Sequence, residues 1–367
     1  MDTIQISITL RKEKMQGIAY EKLLEVREYI TELYCHKKEG ILKNGNRGEI
    51  QLRYCDCLEI SKKGRFIIKI SYPRFYKGIN AFIIENSAQC MEVQAHFCLA
   101  LKKHELLCDA LISLDRVDIP FTFLMDPEYN FISYKKVYQV LSFVHERKNK
   151  NGSVKAYTDV KKFNPQTVIF ADTKSISSFN KKITIYNQYK NIEEKTKDEE
   201  RFQLICMEYD DLRNRMRIEV SKRIRRKWIT IQKFGELNIL KEFIEGYRDY
   251  LLEKLFDLEE IEKIYDDKAM ELAEIFESYR ENSNKVNYMS FIYKEIDKIY
   301  DYEIIRRALK ICIKNENTKE NAITVIRKIL NSYQANEKII VMDTYKIIRD
   351  IRGKIYWSFM YPERTNF

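Results

Sequence analysis

Two carboxylates stand where strand alternation turns them away from their apolar neighbours, and two phenols stand at the end of an apolar run. Asp118, in the run LDRVDI, is flanked by Val117 and Ile119 and points to the opposite face from them. Such a group is a hard oxygen ligand of the kind Mg²⁺ or Mn²⁺ prefers, or else a solvated residue on the polar face of an antiparallel strand. Glu219 repeats the situation in RMRIEV, where Ile218 and Val220 face one way and Arg217, Glu219 and Ser221 the other. A surface strand with cross-strand ion pairs has the same pattern. Tyr186 and Tyr189, in KITIYNQYK, end an apolar run just before Glu193 and Glu194. Packing is the ordinary role of any one of the chain's 25 tyrosines. A phenol, with a pKa of about 10, becomes a useful nucleophile only beside a cation, either a metal or Lys190.

A basic run follows the second acid. Arg213, Arg215, Arg217, Lys222, Arg223, Arg225, Arg226 and Lys227 gather around Trp228, a composition suited to phosphate contacts with an aromatic that stacks on a base or anchors the segment. The chain carries 65 Lys+Arg against 55 Asp+Glu, a balance of +10 that favours a polyanionic partner and equally fits a lysine-rich composition. Four histidines form no metal-binding pair, and no phosphate-loop or dinucleotide fingerprint occurs. The eight cysteines are scattered; Cys55 and Cys57 lack a second pair, so reduced buried thiols are expected. The N-terminal stretch lacks a long apolar core, and no window approaches the ~20 apolar residues of a membrane span, so a soluble cytoplasmic protein without membrane contact is expected.

The elements that must position these groups change character along the chain. Residues 3–10, 48–57, 65–72, 116–123, 166–171, 181–189 and 214–221 read as strands, with KKGR as a turn. Ile18–His36, Gln89–Ser113 and Tyr134–Glu146 read as helices, 193–200 as a charged connector and 201–208 as ambiguous. From about Leu237 long helical patterns take over. The fold expected is α+β, an antiparallel sheet with packed helices over residues 1–235, followed by a mainly helical domain over 236–367.

The order of four segments resembles the gene II replication protein family of filamentous phages and, more distantly, plasmid initiators of the transposon-nickase type. The segments are YPRFYKGINAF (72–82), RVDI (116–119), TVIF (167–170) leading into ITIYN (183–187), and RMRIEV (215–220), within residues 48–235. The resemblance implies a replication-initiator endonuclease fold and a rolling-circle initiator that nicks and rejoins one DNA strand through a 5′-phosphotyrosyl bond. It implies Tyr186 as nucleophile, with Asp118, Glu219 and Glu194 around Mg²⁺ or Mn²⁺, Lys190 assisting, and Arg116 with the basic run on DNA. The implied partners are an origin, as single strand or hairpin, and a bacterial host's helicase and polymerase. Gln188 replaces the family's Lys, Asn191 stands five after Tyr186, and Glu194 stands five after Tyr189, so both tyrosines stay open as nucleophile. Ile83 follows Phe82 where the family commonly has Gly. A non-catalytic DNA- or RNA-binding protein, and an interaction scaffold, are the alternatives.

Overall fold

Alternation decides the first element: in strand β1 (Thr3–Thr9) Ile4, Ile6 and Ile8 are fully buried while Thr3, Gln5 and Ser7 take the other face. The computed structural model describes residues 1–33, 38–42, 44, 46–127, 129–159, 164–196, 198–224, 227–280, 286–299, 301–337 and 343–357. A hairpin, β2 (Lys38–Ile41) with β3 (Arg47–Ile50), stands apart from the main sheet. The main sheet contains β4 (Cys55–Ser61), β5 (Arg65–Ser71), β6 (Leu111–Leu124), β7 (Ser153–Asp159), β8 (Asn164–Ala171), β9 (Lys181–Asn187) and β10 (Arg215–Arg223). Its order is β4-β5-β1-β6-β10-β9-β8-β7, every neighbour antiparallel, and the short β11 (Ile229–Thr230) pairs with β6.

One face of this sheet is apolar in register. Ile4 lies opposite Ile70 and Val117, Ile6 opposite Ile68 and Leu114, and Val220 opposite Ile119 and Ile183. Each such side chain contributes about 1.5–3 kcal/mol by burial, so a one-residue slip that turned the set outward is strongly disfavoured. The register therefore also fixes the opposite, polar face.

Several elements differ from the sequence expectation. The helix expected to reach Ser113 spans Ser87–Lys103, and β6 starts at Leu111 and runs unbroken through Asp115. Pairing of Leu111–Leu114 with Ile6–Thr9 wins over the helical pattern, and the register shift beside Gln5 absorbs Asp115 as a bulge. The strand expected over 48–57 is two, β3 and β4; the turn after β4 closes at Gly64, whose φ of 65° favours glycine. The connector expected over 193–200 is largely helical. Helices Gln188–Thr196 and Glu199–Glu208 bury Ile192, Phe202 and Ile205 against Ala81 and Leu212, and Asp198 caps the second.

Contacts divide the chain into two units, one built mainly on Met1–Pro127 and Ser153–Tyr250, the other on Glu128–Gly152 and Leu251–Tyr356. The division expected at 235/236 thus falls elsewhere. Residues up to Tyr250 stay with the sheet because Tyr247 donates to the Val117 carbonyl at 3.0 Å and Lys222 to the Gly246 carbonyl at 2.5 Å. Helix Lys135–Lys148 goes with the helical unit, where Arg147 meets Asp267 and Lys148 meets Asp257, both at 2.5 Å. The helical unit also contains Leu258–Arg280, Tyr302–Cys312, Glu316–Glu337 and Thr344–Trp357. No helix among the described residues is long and apolar enough to cross a membrane.

Within the helical unit a fully buried carboxylate, Asp301, accepts from the backbone N–H groups of Glu303 (3.0 Å), Ile304 (3.2 Å) and Tyr345 (2.7 Å) and from the Tyr265 hydroxyl (3.0 Å). It caps one helix and ties the first turn of another. Asp301→Ala orphans four donors and is expected to cost roughly 2–4 kcal/mol in urea unfolding. A loss below about 0.5 kcal/mol would show that water replaces the carboxylate without penalty.

Candidate active site

Three adjacent strands carry the candidate groups on the polar face. Arg217 of β10 lies directly opposite Tyr186 of β9, Glu219 opposite Thr184 and Pro120, and Ser221 opposite Asp118 of β6. Glu219 is therefore diagonal to both Tyr186 and Asp118, positions whose Cα atoms stand about 7–8 Å apart in an antiparallel pair. On the far side of β6, Thr3 faces Asp118, and the backbone N–H of Asp2 donates to the Asp118 carbonyl at 3.1 Å. That pairing introduces Asp2, which the sequence reading omits.

Charge inside the cluster is tightly matched. Arg217, 2% exposed, lies 3.2 Å from the Asp2 carboxylate and reaches the Asn80 carbonyl at 3.3 Å. Asp118, 1% exposed, is gripped by Arg116, with Nε at 2.7 Å and Nη2 at 2.5 Å. Burial, with the negative charges of Asp2 and Asp118, pushes the Glu219 carboxyl up to about 8, against the pull of Arg217. Burial works to raise Asp2 as well, but Arg217, Glu219 and Lys69 together hold it below the usual carboxylate range. The two shifts run in opposite directions, Glu219 up and Asp2 down, as for two carboxyls that resist ionising together.

Burial drives the Tyr186 phenol well above its ordinary value; Arg217 opposes this, and Glu219, Asp2 and Asp118 add to it. The phenol is protonated at neutral pH and needs added positive charge to react. Lys195 also belongs to the neighbourhood. Desolvation lowers its ammonium and Asp2 opposes that shift, while its Nζ donates to Asn191 at 2.7 Å.

The other sequence candidates separate from this cluster. Tyr189 packs against Phe202, ring centroids 5.0 Å apart, in the small core between two helices. Lys190 pairs with Glu193 at 2.5 Å. Glu194 is exposed on its helix and makes no contact with the cluster that the electrostatics of Asp2, Glu219 or Tyr186 register. The basic run does not form one patch, because alternation sends its members to different places. Arg213 sits over the Tyr189 ring, and buried Arg215 is held by Asp211 and the Ala81 carbonyl. Lys222 turns to the Tyr247 and Tyr250 rings, on the face opposite Ser221. Arg223 meets Phe179 and the Ser177 carbonyl, and Lys227 is exposed. Arg225 and Arg226 lie outside the described residues.

Thr184 Oγ1 and Ser221 Oγ are buried oxygens without hydrogen-bond partners, and Asp2 Oδ1 faces only the Arg217 guanidinium at 3.2 Å; all three are the hard-donor chemistry that Mg²⁺ or Mn²⁺ takes. With Glu219 they fit such an ion chemically. Asp118, expected as a ligand, is instead a guanidinium partner with both oxygens engaged. Among the described residues no three His, Cys, Asp or Glu side chains are already arranged around a common ion position. No protein-family model, curated protein or solved structure matches the chain.

The sign of the pH effect follows from the raised Glu219. The folded protein keeps a proton there that the unfolded chain has released, so stability is lost as pH rises from the ordinary value of 4.5 towards about 8. Asp2, whose folded value is lowered, acts in the opposite sense below that window. Glu219→Gln is expected to flatten the unfolding free energy between about pH 5 and about pH 8. Parallel curves for the two proteins across that range would contradict a protonated Glu219.

Proposed function

We propose that this chain is a rolling-circle replication initiator that nicks and rejoins one DNA strand, with Tyr186 as nucleophile. The single observation that carries the reading is the position of Glu219, diagonal to Tyr186 on one side and to Asp118 on the other, in one polar patch. A buried charged cluster is weak ground for stability, since desolvation offsets much of the attraction, so its cost points to chemistry. The order of motifs along the chain supplies the substrate class, DNA at an origin, and the cytoplasm of a bacterial host as the setting.

In the proposed step the Tyr186 oxygen attacks a backbone phosphorus, an oxygen–phosphorus bond forms, and the bond to the 3′ oxygen breaks. The phenolic proton passes to a carboxylate of the patch, which hands it on to the departing 3′ oxygen, so no net charge is created. The phosphotyrosyl bond keeps the phosphodiester's energy, and the free 3′ hydroxyl can reverse the step or prime a polymerase. Arg217, opposite Tyr186, favours the phenolate. A divalent ion taken by Asp2 and Glu219 would add positive charge at the phosphate when bound. Asp118 holds Arg116 in place beside this path.

A second reading, nucleic-acid binding without scission, is favoured by the burial that keeps the Tyr186 phenol protonated. Supercoiled origin DNA with Mn²⁺ separates the two. Tyr186→Phe is expected to lower nicking and the covalent adduct by roughly three orders of magnitude or more with DNA binding retained, while Tyr189→Phe still cuts. Nicking that survives Tyr186→Phe, or no nicking by the unaltered chain on any DNA topology, would end the proposal.

A further inference from the structure

The helical unit has a cleft of its own, built by three helices that the proposed chemistry does not use. Its volume is about 610 Å³, the size of a site for one small molecule. Helix Tyr302–Cys312 supplies Tyr302, Glu303 and Arg306 from its first two turns, and helix Glu316–Glu337 supplies Ile323 and Arg327. The third wall is the start of helix Thr344–Trp357. Spacings of three and four residues bring each set to one helix face.

Two tyrosines give the cleft fixed surfaces. The Tyr302 hydroxyl donates to Asn331 Oδ1 at 2.6 Å, and the Tyr345 hydroxyl donates to Glu262. Each ring carries a guanidinium, Arg327 at 5.2 Å from the Tyr302 centroid and Arg349 at 5.8 Å from that of Tyr345. Arg306, by contrast, is engaged by Glu303 at 2.9 Å. Arg327, Lys346 and Arg349 form no ion pair among the described residues, although the carboxylates of Asp343 and Asp350 line the same cleft. Lys346 and Asp350 stand one turn apart on one helix and still do not meet. Cations gathered in a concave surface repel one another until an anion lies among them, and a lone carboxylate beside them needs a donor.

That mixture of charges selects the ligand. A bare phosphate would answer the cations but be repelled by the acids. A nucleotide carries phosphate at one end and ribose hydroxyls, which donate to carboxylates, in the middle. Its planar base suits the apolar side chain of Ile323, 9% exposed, together with the tyrosine and guanidinium planes. A nucleic-acid backbone needs cations that follow it along a groove, whereas these are confined to one cleft and share it with acids. The chain has no phosphate-loop fingerprint, so side chains rather than a glycine-rich backbone make the phosphate contacts.

We infer that this cleft binds a mononucleotide, with Arg327, Lys346 and Arg349 on its phosphates and Asp350 on the ribose hydroxyls. The site needs nothing from the sheet unit, so it stands or falls apart from the nicking reading.

The test is calorimetric titration of the full chain, in EDTA, with AMP, ADP and ATP and separately with pyrophosphate and hexaglutamate. Saturable binding of at least one nucleotide below about 1 mM is expected, at least about tenfold tighter than pyrophosphate or hexaglutamate. Whichever nucleotide binds best tells how many phosphates the cations hold, and each supports the site. Arg327→Ala with Arg349→Ala is expected to weaken nucleotide binding at least about tenfold. The 2′,3′-dideoxy form of that nucleotide is expected to bind at least about threefold more weakly, a difference that Asp350→Ala removes. Tyr186→Phe, and the parent chain saturated with oligo-dT, are expected to bind the nucleotide as the parent does. A thermal melt checks that each variant is folded; should the double variant melt early, the single change Lys346→Ala, at an exposed position, carries the test with a loss of at least about threefold. No saturable binding of any nucleotide, the parent's affinity in the arginine or lysine variants, or pyrophosphate, hexaglutamate or oligo-dT occupying the cleft as tightly as the nucleotide would each overturn the inference.

Discussion

The ion pair between Arg217 and Asp2 is the constraint on which the polar face depends. Arg217 is almost wholly buried and cannot be deprotonated, so its charge must be answered by groups within the fold. Asp2 answers it from the start of β1, two strands away from β10, with β6 between. The same guanidinium reaches Asn80, in the segment after helix Tyr72–Lys77, and lies across from Tyr186. Removing either partner leaves a bare charge in a poorly solvated place and loosens four separate stretches of chain at once. Burial and, after it, the negative charge of Asp2 raise the Glu219 carboxyl, so the phenol's surroundings are tuned in part from the opposite end of the sequence.

Arginine occupies both places where a metal ion would otherwise be the natural countercharge. Arg116 closes Asp118 with two hydrogen bonds, and Arg217 answers Asp2. A guanidinium can exchange its carboxylate for a phosphate, and the carboxylate can exchange the guanidinium for a metal cation, because each swap keeps the sign of the partner. The unpartnered oxygens of Thr184 and Ser221 lie on the same face, so polar capacity remains beyond what the protein itself satisfies. This combination suits a site that receives a charged substrate better than one sealed for stability.

Much of this was legible in the alternation of single strands and little of it in the pairing between them. Period two puts Arg217, Glu219 and Ser221 on one face, and it puts Lys182, Thr184 and Tyr186 together as well, so Lys182 was open to the same reading as Tyr186. Asp2 was not, because nothing local in MDTIQ indicates that β1 lies against β6, more than a hundred residues on. The basic run looked like one patch only while its alternation was ignored; the sheet sends Lys222 one way and Arg223 the other. The helices over 188–208 were hidden by their charges, since three apolar residues, Ile192, Phe202 and Ile205, suffice to hold them against Ala81 and Leu212.

The excursion between β6 and β7 has a consequence for how the chain can be divided. Residues of the helical unit appear both there and after Tyr250, so the polypeptide passes from one unit to the other at 127/128, 152/153, 250/251 and 356/357. A truncation after Tyr250 would strand helix Lys135–Lys148 with Val137, Val140, Leu141 and Val144 deprived of their covering. Neither half can be shed by a single cut or gene break, so the two units are bound to be inherited and synthesised together, whatever freedom the folded chain allows them.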